Sequence, residues 1–121
     1  MIIFKHSKDL KASIEEIKKI GGSVGFVPTM GALHNGHFGL VSKSLEICAD
    51  TTVSIFINPT QFNNPEDFQK YPVTIEKDVC LLEKNRCNRL FMPSYGEIYP
   101  PDWEETHYSL GHLENIWCNL L

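Results

Sequence analysis

His34 and His37 stand three residues apart in the stretch TMGALHNGH, Thr29 to His37, directly after the apolar run Val24 to Val27. Imidazoles at that separation lie on one side of a helical turn and can both aim a donor at a single anion. Gly31 and Gly36 permit tight turns and close backbone approach, and a helix opening at Gly36 or His37 would offer free amide groups that attract phosphate. A zinc site needs more ligands, and no Cys, Asp or Glu falls at a useful short spacing from the pair. The bland alternative is a solvent-facing loop carrying two incidental histidines.

A second polar stretch, NPTQFNNPEDF from Asn58 to Phe68, follows another apolar run. Gln61 within it has an amide that can both donate to and accept from a ligand carboxylate or hydroxyl, although an exposed loop glutamine is the default. Tyr71-Pro72 reads first as loop packing. His6, His107 and His112 read as surface or structural residues.

The elements that must position these side chains follow from periodicity. Leu10, Ile14, Ile17 and Ile20 recur at helical spacing over Ser7 to Ile20, with Ser7 as cap and Gly21-Gly22 as stop. Ser23 to Thr29 is a short apolar run bounded by glycine and proline, as in a buried strand. Leu40, Val41, Leu45 and Ile47 mark a helix to about Ala49, and the β-branched run Thr51 to Asn58 marks a second strand ending at Pro59. Strand, helix and strand in this order form a βαβ unit, hence a parallel sheet with a right-handed crossover. Asn64 caps a short helix with Pro65 in its first position, Thr74 to Asn85 forms another helix, and Arg89 to Pro93 forms a third short strand. Past Pro93 the pattern is weaker, with a strand near His107 to Leu110 and a terminal helix.

The fold class is therefore α/β, one parallel sheet with flanking helices over residues 1–121 as a single domain. Ligands of such sheets bind past the carboxyl ends of the strands. Both polar loops leave at that rim, which should bring Met30, His34, His37, Asn58 and Gln61 towards one crevice.

Composition narrows the partners. Eleven Lys and Arg against fifteen Asp and Glu give a net charge of −4 with no basic block, which argues against nucleic acid as a partner. Four cysteines, Cys48, Cys80, Cys87 and Cys118, form no Cys-x-x-Cys pair, so reduced thiols in the cytoplasm are expected over a disulfide framework. No apolar run reaches membrane-spanning length, and the apolar part of the N-terminus is too short for a signal peptide.

GFVPTMGALHNGH, VSIFINPTQF, EDFQKYPVT and EIYP, in this order and spacing, closely resemble the pantothenate synthetase (pantoate–β-alanine ligase) family, from about Ile2 to at least Pro100. The resemblance implies a Rossmann-like, nucleotidylyltransferase-type fold and ATP-dependent condensation of (R)-pantoate with β-alanine through pantoyl adenylate, with Mg2+ carried mainly by the ATP phosphates. Carried over by position, Met30, Gly31, Ala32, Leu33, His34, Asn35, Gly36 and His37 match the family's ATP-binding loop. Of these, His37 and His34 are expected to donate to phosphate, His37 being the residue usually assigned as proton donor. Gln61 matches the glutamine that holds pantoate and lies near β-alanine. Met30, Phe62 and Tyr71 match the pantoate pocket. Family members are commonly homodimers. They continue into a Gly-Glu-Lys-Asp loop, a Ser-Arg-containing loop and a smaller C-terminal domain that these residues do not include, so the match is to the N-terminal part, with weak or no turnover expected from it alone. Two other functions remain open: a related nucleotidylyltransferase for another small acid or alcohol, which would lack a use for Gln61, and a non-catalytic nucleotide-binding or assembly module.

Overall fold

The rim at which chemistry can occur is set by how four short strands pair. In the computed structural model, which describes residues 1–59, 64, 66 and 74–101, the strands are β1 (Ile2–Phe4), β2 (Val24–Thr29), β3 (Asp50–Ile55) and β4 (Arg89–Phe91), and the helices are α1 (Ser7–Lys19), α2 (Asn35–Ile47), α3 (Ile75–Lys84) and α4 (Tyr95–Ile98). The sheet order is β1-β4-β3-β2, and every pairing is parallel. Residue types follow position: β3, between two neighbours, is buried at all six residues, whereas β2 at the edge leaves Phe26 56% exposed.

Val53 and Leu90 are neighbours across β3 and β4, and Val41 of α2 and Leu82 of α3 join them in the core; all four are fully buried. Helix α2 lies close against β2 because residue 25 is glycine: a Cβ there would stand 1.8 Å from Ser44 Oγ. That hydroxyl instead bonds Thr51 of β3 at 2.6 Å. At the opposite end of the sheet from the loops, Arg89 and Asp50 form a buried ion pair, and Arg89 Nε donates to Ser13 Oγ of α1 at 2.7 Å.

Several boundaries differ from expectation for local reasons. The apolar start Ile2–Phe4 becomes a strand because β4 gives it a partner. Ser7 does not cap α1: it is the first helical residue, and its amide and hydroxyl both donate to Glu97 Oε1 at 2.7 Å, an acceptor brought from α4. Ile20 lies past the end of α1 and is 82% exposed rather than on its buried stripe. Helix α2 starts at Asn35, before Gly36, and β3 stops at Ile55, level with Thr29 of β2, rather than at Asn58. Glu66 N donates to Asn64 Oδ1 at 3.0 Å, the capping bond expected of Asn64. The rest of that short helix, the strand near His107 to Leu110 and the terminal helix lie outside the described residues.

Candidate functional site

Register brings the starts of the two polar loops side by side. β2 and β3 run paired from Val24 opposite Asp50 to Thr29 opposite Ile55, so both chains leave the sheet together. The first loop then turns sharply. Thr29 Oγ1 donates to Ser54 O at 2.8 Å and accepts from Gly31 N at 3.2 Å. Gly31 (φ 81) and Ala32 (φ 50) both take left-handed backbone conformations, natural for glycine and costly for alanine.

What holds this turn is Asp78 of α3, only 1% exposed. Its Oδ2 accepts from Ala32 N at 2.9 Å and from Thr74 Oγ1 at 3.2 Å, while Oδ1 accepts from Leu33 N at 3.0 Å. A buried carboxylate is tolerable only when donors surround it, and the loop backbone supplies two of them. Leu33, next in the chain, puts its side chain into the core.

The histidines come next and cap α2 reciprocally. His34 occupies the cap position, where its Nδ1 accepts from Gly36 N at 3.0 Å, and His37 Nδ1 accepts from His34 N at 3.1 Å. Their ring centroids are 4.1 Å apart. Since each Nδ1 is an acceptor, the proton of each neutral ring must sit on Nε2, which leaves two Nε2–H donors. Burial, and then the neighbouring His34, hold His37 below the usual histidine range; Asp78 opposes them. The neutral form that the capping bonds require is thereby favoured. Gly36 is what lets the first ring fit, because a Cβ there would stand 2.8 Å from His34 Cε1.

These bonds revise the phosphate cradle expected from helix-terminal amides. The amides of Gly31, Ala32, Leu33, His34, Gly36, His37 and Phe38 each already have an acceptor within the protein. Of the amides from Gly31 to Phe38, that of Asn35, the first residue of α2, has no such acceptor among the described residues, so the donors left for an anion are this amide and the two imidazoles.

Among the described residues, two adjoining clefts lie at this rim. The larger, about 730 Å³, is lined by Met30, Gly31, Ala32 and Asp78, with Lys5 and Tyr95 among its other walls. The smaller, about 340 Å³, is lined by Thr29, Ser54, Asn58 and others, and Met30, Phe56 and Pro93 border both. Met30 and Asn58 thus reach the clefts as expected, while His34 and His37 line neither and stand one turn further along the loop. Leu33, expected in the ATP-binding loop, offers no side chain there. Gln61, Phe62 and Tyr71 lie outside the described residues.

Sequence reasoning missed three contributors. Asp78 reads as an ordinary acidic residue early in a helix; the available signal was its place four residues before buried Leu82, a carboxylate on the apolar stripe. Glu97 and Tyr99 fall within the EIYP motif, which by itself gives neither a role. Tyr99 Oη accepts from Asn58 Nδ2 at 2.9 Å, and the Ser7 hydroxyl and amide hold the Glu97 carboxyl below its ordinary value.

Comparison with known proteins gives the family and the fold. A family model described as pantoate-beta-alanine ligase matches residues 2–120. The chain is 44% identical over 118 residues to a pantothenate synthetase of Leptospira biflexa, covering 98% of this chain and 42% of that protein. It is 47% identical over 100 residues to that of Cytophaga hutchinsonii, covering 83% of this chain and 35% of that protein. Among solved structures, a Francisella tularensis pantoate-beta-alanine ligase, complexed with beta-gamma ATP and beta-alanine, superposes with a TM-score of 0.82 at 41% identity over 91% of this chain and 42% of that one. A Thermus thermophilus pantothenate synthetase gives 0.83 at 34% identity, covering 97% of this chain and 41% of that one. The chain therefore spans about two fifths of the length of these relatives.

Proposed function

Because the chain belongs to the pantoate–β-alanine ligase family, we propose that its histidine loop and adjoining clefts are the ATP- and pantoate-binding part of an enzyme that joins (R)-pantoate to β-alanine. A carboxylate is a poor acyl electrophile, so the acid is first activated. A pantoate carboxylate oxygen bonds to the α-phosphorus of ATP, the bond to pyrophosphate breaks, and pantoyl adenylate forms. The β-alanine amine then bonds to the acyl carbon, AMP leaves, and the amine proton passes to solvent or a base.

Charge develops on phosphate oxygens in the first step, and fixed donors aimed at it lower the barrier most. The observation that carries this reading is the reciprocal capping of His34 and His37, which fixes both Nε2–H donors before any ligand arrives. His37 is the main catalytic donor and His34 its partner. The loop from Met30 through Gly31, Ala32, Asn35 and Gly36 shapes the ATP site, with Leu33 anchoring it from the core. Gln61 holds pantoate near the β-alanine position, and Met30, Phe62 and Tyr71 line the pantoate pocket. Mg2+ would come mainly on the triphosphate. Asp78, the carboxylate lining the larger cleft, has both oxygens occupied by protein donors, and no three His, Cys, Asp or Glu side chains among the described residues converge as ligands.

The partners are these small molecules and a second copy of the chain. Exposed Phe26, Leu40 and Ile47 on β2 and α2 support association into a homodimer. A cytoplasmic location suits the substrates, and no helix among the described residues is long and apolar enough to cross a membrane.

The test is exchange of labelled pyrophosphate into ATP with β-alanine absent. Exchange that depends on pantoate supports the proposal, and exchange indifferent to pantoate refutes it in favour of another acid substrate. ATP binding with no exchange would make these residues a nucleotide-binding module.

A further inference from the structure

We propose that Asp78 is a positioning residue for nucleotide binding: from α3 it templates the histidine loop that β2 delivers, without itself touching the nucleotide. The inference deepens the preceding proposal and takes the identity of the ligand from it.

The carboxylate lies 45 and 46 residues along the sequence from the loop amides it receives. Its three donors come from Ala32, Leu33 and Thr74, so it ties the turn after β2 to the first turn of α3. The turn needs such a tie. Ala32 is held at φ 50, and a non-glycine residue stays in that region only where its surroundings over-determine it. A Cβ on Gly31 would come within 3.4 Å of Asp78 Oδ2, so the loop backbone lies directly on the carboxylate.

Immediately after Leu33 comes His34, whose own amide is the donor that fixes His37. An error in the direction of the chain at Ala32 and Leu33 therefore carries to both imidazoles. The titratable groups acting on His37 are His34 on its own turn and Asp78 from α3, and the carboxylate works against the burial that disfavours a protonated ring. A carboxylate is also the acceptor that suits this position, because its two oxygens meet two N–H groups, whereas an asparagine would turn an NH2 towards one of them.

The experiment uses the full 121-residue chain labelled with nitrogen-15, comparing Asp78→Asn, Thr74→Val and Thr74→Ser with wild type. Three quantities are read: hydrogen exchange at the Ala32 and Leu33 amides, the tautomer of each imidazole from its ring nitrogen shifts, and the Kd for ATP. Asp78→Asn should speed exchange at both amides, mix the Nε2–H tautomers and raise the ATP Kd by about tenfold or more. Thr74→Val, which removes one donor but keeps the carboxylate, should move all three in the same direction by less, and Thr74→Ser should restore them. If Asp78→Asn speeds exchange but leaves the tautomers unchanged and the ATP Kd within about twofold, Asp78 only supports the fold and the inference is overturned. If Asp78→Asn does not fold, the Thr74 pair decides, and unchanged tautomers and affinity in Thr74→Val overturn it. A wild-type chain that binds no ATP would sink the proposed function, while the tautomers of the variants would still decide whether Asp78 positions the loop.

Discussion

A methyl group added at Gly36 would stand 2.8 Å from Cε1 and 3.0 Å from Nδ1 of His34, too close for the ring to stay. The backbone itself is not the obstacle, since Gly36 is not among the residues with positive φ. Relief comes from rotating the imidazole away, which breaks the bond from Gly36 N to Nδ1. Losing such a cap costs typically about 1 kcal/mol, and replacing glycine by alanine within a helix returns up to about 1 kcal/mol. The two nearly cancel, so the melting temperature should hardly change. Function should not be spared, because the rotated ring no longer has its proton fixed on Nε2 or its donor aimed with that of His37. A hydrogen bond to a charged group is worth about 1.5–3 kcal/mol, so ATP should bind roughly tenfold to a hundredfold more weakly in Gly36→Ala. Calorimetric titration with ATP beside a thermal melt measures both. His34→Ala should weaken ATP similarly, and the double variant should be no worse than either single one, because both act through one ring. Unchanged ATP affinity in a stable Gly36→Ala protein, or strictly additive losses, would refute the argument that glycine is there for the imidazole.

Five further outcomes follow, that at Gln61 from the proposed function and the others from particular residues of the structure. His37→Ala should suppress adenylate formation by about a hundredfold or more while hardly loosening pantoate, and Gln61→Ala should do the reverse; pyrophosphate exchange and pantoate titration separate them. Asp50→Ala strands the buried Arg89 guanidinium and should cost about 3–5 kcal/mol in urea unfolding, with no specific effect on the distant loops. Because the folded pKa of His37 is lowered, its contribution to stability should be fully present above the ordinary histidine value and be lost as pH falls below it through the folded value; denaturant midpoints from neutral to acid pH, compared with His37→Gln, measure this. Tyr99→Phe removes the hydroxyl that accepts from the Asn58 amide, and should shift the Asn58 side-chain resonances while leaving the histidine tautomers alone.

How far the sequence is legible depends on whether a residue's partner is near it in the chain. Leu40, Val41 and Leu45 announce α2, and the β-branched run announces β3, because helix and strand periods are local properties. His34, Gly36 and His37 were legible as a group for the same reason, and their reciprocal bonds span at most three residues. Ser7 misled because its best acceptor, Glu97, lies 90 residues away; Asp78 went unread because its loop donors lie 45 and 46 residues away. Local pattern could not tell a carboxylate that favours a helix start from one that holds another element's backbone.

That same distinction explains why the loop is a weaker backbone cradle and a more exacting side-chain site than its motif suggests. Amides at a helix start bind an anion only if nothing inside the protein has claimed them, and here Asp78 claims two while the histidines claim two more. In the proposed site the anion would therefore meet mainly the imidazole protons, whose direction depends on those same claims, beside the amide of Asn35. Removing either histidine therefore does more than delete one donor: without His37, the His34 amide loses its acceptor, and without His34, the Gly36 amide does. His37→Ala should accordingly raise hydrogen exchange at His34, and His34→Ala at Gly36, each in the absence of ATP. Rings that acted independently would leave the neighbouring amide unchanged.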